Sequence, residues 1–264
     1  MFIWMVVVFM GGVIGSFLNV VIYRLPLIMN GNRGFNLCNP PSHCPKCRKC
    51  LLKKHNIPIL SYIYYKGRCA WCGENISFRY LFIEVLVILF SIAGWARFEP
   101  SINDYIGYFI LLIYAIVIAF VDFDTWKIPN ILTLSLMVLG FVYNINNGFV
   151  SLEDSVLGTI LTYTILSLFS MMTSWLYKTT TIGGGDVKYL TAIAAWLGIY
   201  CMPIIIMSAS FLTISNIIGL KFMFRYKVSR MKIQFGPSIS IAVMSYTLVV
   251  YNEPLNFMLK NYFY

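Results

Sequence analysis

A chain of 264 residues that is 59% hydrophobic, 17% aromatic and only 11% charged cannot pack as an ordinary water-soluble domain, and it is far too rich in apolar residues for disorder. Its 20 Lys and Arg against 10 Asp and Glu leave a net charge of +10, which suits either the basic cytoplasmic loops of a bilayer protein or a nucleic-acid surface. The composition excludes a soluble fold and predicts an all-α polytopic membrane protein, and the position of each charge decides what the basic surplus is for.

Crossing a bilayer takes about 20 mostly apolar residues in a helix. Residues 2–23 carry no charge and no A-x-A-like cleavage signal, which predicts a retained first span. Residues 24–79 form a hydrophilic loop. Spans are then predicted over 80–96, 105–121, 131–143 and 156–177, the 131–143 segment being the shortest. Residues 189–220 hold no charged residue; the stretch is too long for one ordinary helix and tight for two, with Pro203 marking a turn in its middle. A last span is predicted over 238–251.

Charge placement chooses between one helix and two in 189–220. With two, there are about eight transmembrane helices and both termini lie outside. The inner side then collects the ten Lys and Arg from Arg24 to Arg79, with Lys127, Lys178, Lys188, Lys221, Arg225, Lys227, Arg230 and Lys232, and only Arg97 and Lys260 stay outside. With one helix the partition falls to 14 against 6. The eight-span arrangement is preferred, and it removes the argument for nucleic acid: no nucleic-acid partner is expected, and membrane lipids with anionic headgroups are the expected counter-charge. The predicted organisation is a first transmembrane helix over 1–23, a basic cytoplasmic loop over 24–79 and a multi-helix transmembrane domain over 80–264.

The loop carries half of all Lys and Arg and six of the seven cysteines. Cys44-Pro-Lys-Cys47 and Cys69-Ala-Trp-Cys72 make two C-x2-C knuckles separated by 21 residues, the spacing of a four-thiolate zinc site. Zinc would fold a loop too small to build a core, and a loop facing a reducing cytosol disfavours disulfides. Cys47-Arg-Lys-Cys50 overlaps as a further C-x2-C, so Cys38, Cys50, His43 and His55 are alternative ligands or bystanders. Cys201 reads as a buried packing residue.

With only ten acids in the chain, each one near hydrocarbon is a functional hypothesis. Asp122 closes the third span in Val121-Asp122-Phe123-Asp124-Thr125-Trp126-Lys127-Ile128-Pro129-Asn130. Asp186 follows Gly183-Gly184-Gly185 just before the sixth, and Glu84 stands on the second. Asp122 and Asp186 fall at the same depth on different helices, as a carboxylate pair sharing one proton requires. Such a pair supports aspartic-protease chemistry: one member takes a proton from the attacking water while the other polarises the scissile carbonyl. The glycines before Asp186 let a substrate or a facing helix approach closely. A zinc-bearing, cation-coupled carrier would use the same residue types, and the residues alone leave both readings open. Serine, phosphate-loop and H-E-x-x-H chemistry find no motif.

The chain also resembles a known family, the bacterial type IV prepilin peptidases, membrane aspartic peptidases of the G-x-G-D class. Gly15-Ser16-Phe17-Leu18-Asn19-Val20-Val21-Ile22-Tyr23-Arg24-Leu25-Pro26 is similar to the family's N-terminal motif, and the two knuckles to its paired cysteines. Asn56-Ile57-Pro58-Ile59-Leu60-Ser61-Tyr62, Gly67-Arg68-Cys69, Ile76-Ser77-Phe78-Arg79-Tyr80 and Glu84 follow in family order. Asp122 with Ile128-Pro129-Asn130, Gly183-Gly184-Gly185-Asp186-Val187-Lys188, and Phe235-Gly236-Pro237 complete the likeness.

The resemblance implies cleavage of the basic leader of prepilins or pseudopilins by Asp122 and Asp186, with Gly183, Gly185 and Lys188 supporting the motif and Cys44, Cys47, Cys69 and Cys72 holding zinc. It further implies N-methylation of the new terminus from S-adenosylmethionine, the alternative being a peptidase without that second activity. A bacterial inner-membrane location with the active site facing the cytoplasm is implied as well. The segment 27–42 lengthens the approach to the first knuckle and reads as a flexible linker. Because the loop is itself basic, leader recognition is expected to rest on carboxylates, backbone contacts or lipids.

Overall fold

The computed structural model describes residues 1–29, 31, 36–39, 41–44, 46–146, 148–178, 182–224 and 234–250. The helices in chain order are α1 (Phe2–Met29), α2 (Leu60–Tyr64), α3 (Phe78–Phe98), α4 (Ile102–Thr125), α5 (Asn130–Ile145), α6 (Leu152–Tyr177), α7 (Gly184–Leu197), α8 (Met202–Phe224) and α9 (Gly236–Ser245), the last running on as a π-helical turn, Tyr246–Val250. Among the described residues there is no β-strand, only two isolated bridges. Among the described residues five helices are long and apolar enough to cross a membrane: α1, α3, α4, α6 and the Met202–Gly219 part of α8. The protein is thus a helical membrane protein with a cysteine-rich insertion. The break within 189–220 falls at Gly198, whose φ of 77° suits glycine and ends α7. Pro203 stands in the first turn of α8, where its missing N–H costs nothing, instead of in the turn itself. Arg225, Lys227, Arg230, Lys232, Lys260 and Tyr251, which the predicted topology used, lie outside the described residues.

The chain forms two compact units, Met1–Pro100 and Ser101–Tyr264. In the first, α1 and α3 pack antiparallel through small residues. A Cβ at Gly11 would stand 3.0 Å from Ser91 Oγ, and one at Gly15 would stand 3.0 Å from Glu84 Cα. Gly11 and Gly15 thus form a small-x3-small face that lets two backbones approach in an environment where hydrophobicity cannot drive helices together. Asn19 Nδ2 adds a bond to the Tyr80 carbonyl at 3.1 Å. The helix continues past residue 23, through Pro26, to Met29; Arg24 is buried there because its guanidinium donates to the carbonyls of Asn36 at 3.0 Å and Leu37 at 3.3 Å. Gly15→Leu is expected to cost about 1–3 kcal/mol by overpacking against the Glu84 backbone, read as a lower unfolding temperature of the detergent-solubilised protein.

The second unit is built around α7, whose residues from Val187 to Leu197 are all buried except Lys188. Its alanines admit close neighbours, and its C-terminal carbonyls are satisfied from two other helices. Asn144 of α5 donates to the carbonyls of Ala195 at 2.9 Å and Trp196 at 3.1 Å, and Ser155 of α6 donates to Ala195 at 2.5 Å. Trp196 Nε1 donates to Leu136 at 2.7 Å and its ring stacks on Tyr143. At the other side, Tyr189 hydroxyl meets Ser240 Oγ of α9 at 2.9 Å. These interhelical polar contacts satisfy groups that lipid could not, and they fix the start of α7, where Asp186 sits.

Candidate active site and metal centre

Asp122 lies in the last turn of α4 and is 6% exposed, whereas Asp124 is exposed. The helix ends at Trp126 in the left-handed region, φ 59°, with its N–H on the Asp122 carbonyl at 2.8 Å. Gln234 then caps the same end, its Nε2 donating to the carbonyls of Asp122 and Phe123 at 2.9 Å each. The carboxylate accepts the N–H of Gly236 at 3.2 Å. A Cβ at Gly236 would stand 2.7 Å from Asp122 Oδ2, so only glycine brings this backbone so close.

Asp186 occupies the third helical position of α7, with Gly183 as the N-cap. Its carboxylate turns back toward the N-cap. A Cβ at Gly183 would lie 2.8 Å from Asp186 Oδ2. At Gly185 a Cβ would press on Ile128 Cβ at 3.1 Å, while at Gly184 it would meet nothing within 4 Å, which leaves that side open. Lys188 Nζ donates to Asn130 Oδ1 at 2.9 Å. The Ile128-Pro129-Asn130 segment therefore docks on the glycine turn at Gly185 and at Lys188, and Asp122 and Asp186 lie within electrostatic range of one another. No local pattern in the sequence marks Gln234, and Gly236 stands in the Phe235-Gly236-Pro237 motif with no role that its neighbours reveal. Both act across more than a hundred positions, a separation with no local signature.

In the first unit the sulfurs of Cys44, Cys47, Cys69 and Cys72 all lie within 4.8 Å of one another and could hold a metal ion. A tetrahedral four-thiolate site with metal–sulfur bonds of about 2.3 Å sets its sulfurs about 3.8 Å apart, and Cys44 Sγ stands 3.7 Å from Cys72 Sγ. The residues present therefore fit such an ion. The two knuckles repeat one geometry. Cys44 N–H donates to Lys49 and Arg48 N–H to Cys44; Cys69 N–H donates to Glu74 and Gly73 N–H to Cys69. Arg48 at φ 56° and Gly73 at φ 70° occupy equivalent left-handed positions. Backbone N–H groups of Cys72 and Trp71 pull the Cys69 thiol down to about 7, toward the thiolate a metal needs. An ion pair between Lys46 and Glu74 ties the knuckles together, and Lys49 lies over the Trp71 ring. Cys38 and Cys50 are exposed and outside the cluster; His43, which faces the Pro41 carbonyl, and His55, which packs edge-on to Tyr65 and Trp71, are half-buried and also outside it.

Residues 9–98 match the family model of the bacterial peptidase A24 N-terminal domain, and residues 109–218 that of the type IV leader peptidase family. A prepilin leader peptidase/N-methyltransferase of Neisseria gonorrhoeae is 36% identical over 253 residues, covering 88% of this chain and 86% of that protein. One of Klebsiella pneumoniae is 39% identical over 215 residues, covering 79% and 92%. One of Aeromonas hydrophila is 36% identical over 253 residues, covering 87% and 84%. No solved structure matches the chain.

Proposed function

We propose that this chain, which belongs to the type IV leader peptidase family, removes the leader of prepilins or pseudopilins at the cytoplasmic face of the bacterial inner membrane and then N-methylates the new terminus. The observation that carries the peptidase reading is the convergence of two distant motifs at Gly185 with Ile128 and Lys188 with Asn130, which brings a buried Asp122 within electrostatic range of Asp186. Asp122 and Asp186 are the catalytic pair. Two adjacent carboxylates hold one proton between them. The ionised member takes a proton from water as its oxygen bonds to the scissile carbonyl carbon; the protonated member donates to the carbonyl oxygen, and the C–N bond breaks with a proton delivered to the departing amine. Gly183, Gly185 and Lys188 keep the start of α7 in place, and the open side at Gly184 leaves room for an extended substrate backbone.

Zinc is the ion proposed for Cys44, Cys47, Cys69 and Cys72, in a structural role. S-adenosylmethionine is the proposed methyl donor, and it would supply the methyl group for the exposed amine. Incubating the purified protein with a prepilin and S-adenosylmethionine should give a product lighter by the leader and heavier by one methyl group. A product lacking only the leader would remove the methyltransferase half, and no cleavage of several prepilins by folded protein would overturn the whole reading. Gly236→Ala should slow cleavage by about 100-fold with little change in KM, because its Cβ displaces the Asp122 carboxylate; an unchanged kcat would separate Gly236 from catalysis.

A further inference from the structure

Glu84 is a buried acid that takes no part in this chemistry. It stands in the second turn of α3, is 8% exposed, and accepts the N–H of Ile59 at 2.8 Å. Ile59 is the centre of a γ-turn of the rare hand, φ 59° and ψ −51°, closed by the Leu60 N–H on the Pro58 carbonyl at 2.5 Å. A β-branched residue in that region is strained, and strain persists only where the surroundings hold it.

The surroundings are the α1–α3 pair itself. A Cβ at Gly12 would lie 3.4 Å from Pro58 Cβ and 3.5 Å from Ile88 Cδ1. The first charges at that end of the two helices are Arg24 and Arg79. At about 1.5 Å per residue, Gly12 lies roughly 18 Å along α1 from Arg24, and Ile88 roughly 13 Å along α3 from Arg79. Half of the hydrocarbon core is about 15 Å.

We propose that residues 57–65 are a re-entrant membrane segment. It descends beside α1 and α3 into the hydrocarbon, turns at Ile59 against Glu84, which stands roughly 8 Å along α3 from Arg79, and returns through α2, facing lipid acyl chains with Leu60, Ile63 and Tyr64. Three independent features support it. No Asp, Glu, Lys or Arg stands between Lys54 and Lys66. Leu60, Ile63 and Tyr64 are 66%, 63% and 79% exposed, a costly display in water and an ordinary one in lipid. Around the turn, backbone donors are taken up as hydrocarbon favours: Ile59 by Glu84, Leu60 by Pro58, Ser61 by Ile57 and Ile63 by Ile59. Glu84 is then an anchor, because an irregular turn at that depth has no water for its central N–H. The segment also moors the metal-binding knuckles, since Gly67 N–H bonds the Tyr62 carbonyl and Tyr62 hydroxyl bonds Ile76.

The proposal does not depend on the peptidase reading, and its test needs no turnover. The full-length protein, with a dansyl amino acid at position 60 or 63, is reconstituted in phosphatidylcholine and phosphatidylglycerol bilayers. Its emission is quenched either by lipids brominated deep in the acyl chain or by aqueous iodide. Strong bromolipid quenching and scarcely any by iodide are expected, with the reverse for a label at exposed Asn39. Quenching by iodide at 60 and 63 as at Asn39, without bromolipid quenching, would overturn the re-entrant path. Glu84→Leu should raise iodide access at position 63 several-fold, and Glu84→Gln, which keeps an acceptor oxygen, should restore protection. Unchanged access in Glu84→Leu would remove the anchoring role.

Discussion

Asp122→Asn and Asp186→Asn should each reduce prepilin cleavage by about 10³-fold or more, because each substitution removes one partner of a shared proton and general acid–base action supplies about 10²–10⁴. The double variant should be no slower than the worse single one, since groups that act as one unit are not additive. Asp124→Asn is the comparison variant: it lies two residues from Asp122 but is exposed where Asp122 is buried. The measurement is single-turnover cleavage of a prepilin in lipid, with membrane insertion and metal content checked to be unchanged. Normal cleavage by either single variant would remove the carboxylate pair from the mechanism. Loss on Asp124→Asn with retention in Asp122→Asn would move the catalytic role by half a helical turn.

Loss of metal is the second large effect. Structural zinc in small domains contributes about 10–16 kcal/mol at neutral pH, and the knuckles contain little apolar core: Cys44 and Cys69 are their buried residues, while Trp71, Arg48 and Lys46 lie at or near the surface. Cys44→Ser, or a strong chelator, should therefore release about one zinc per chain and make the loop between the two C-x2-C pairs sensitive to trypsin at Lys49, Lys66 or Arg68. Cys38→Ser and Cys50→Ser should leave zinc in place, because neither sulfur belongs to the cluster. Mass spectrometry of the native protein reads the metal, and limited proteolysis reads the fold. A metal-free chain whose loop resists trypsin, or zinc lost on Cys50→Ser but kept on Cys44→Ser, would contradict the assignment.

Much of this protein was legible without coordinates. The apolar composition required helices in a bilayer, since only a closed hydrogen-bonding scheme survives there. The C-x2-C pairs marked a metal site, but the overlapping Cys47–Cys50 spacing left the ligand set open, and only the fold gathers Cys44, Cys47, Cys69 and Cys72 and leaves Cys50 aside. The helix break in 189–220 followed from the placement of Lys and Arg where length was ambiguous, though its position at Gly198 instead of Pro203 depended on which residue could take φ 77°. Asp122 and Asp186 stood out because acids are scarce near hydrocarbon. What the sequence alone could not supply were contacts between segments far apart in the chain. Gln234 capping α4 and the Gly236 backbone against the Asp122 carboxylate exist only once α9 packs on α4, and Lys188 reaching Asn130 only once α5 packs on α7. Glu84 shows the same in the first unit: its place near hydrocarbon marked an intramembrane acid, but its partner, the strained N–H of Ile59, was decided by how the 57–59 turn seats against α3 and against α1 at Gly12. Periodicity and local spacing are written into neighbouring residues, whereas an interhelical hydrogen bond is chosen by packing, and packing belongs to the folded chain.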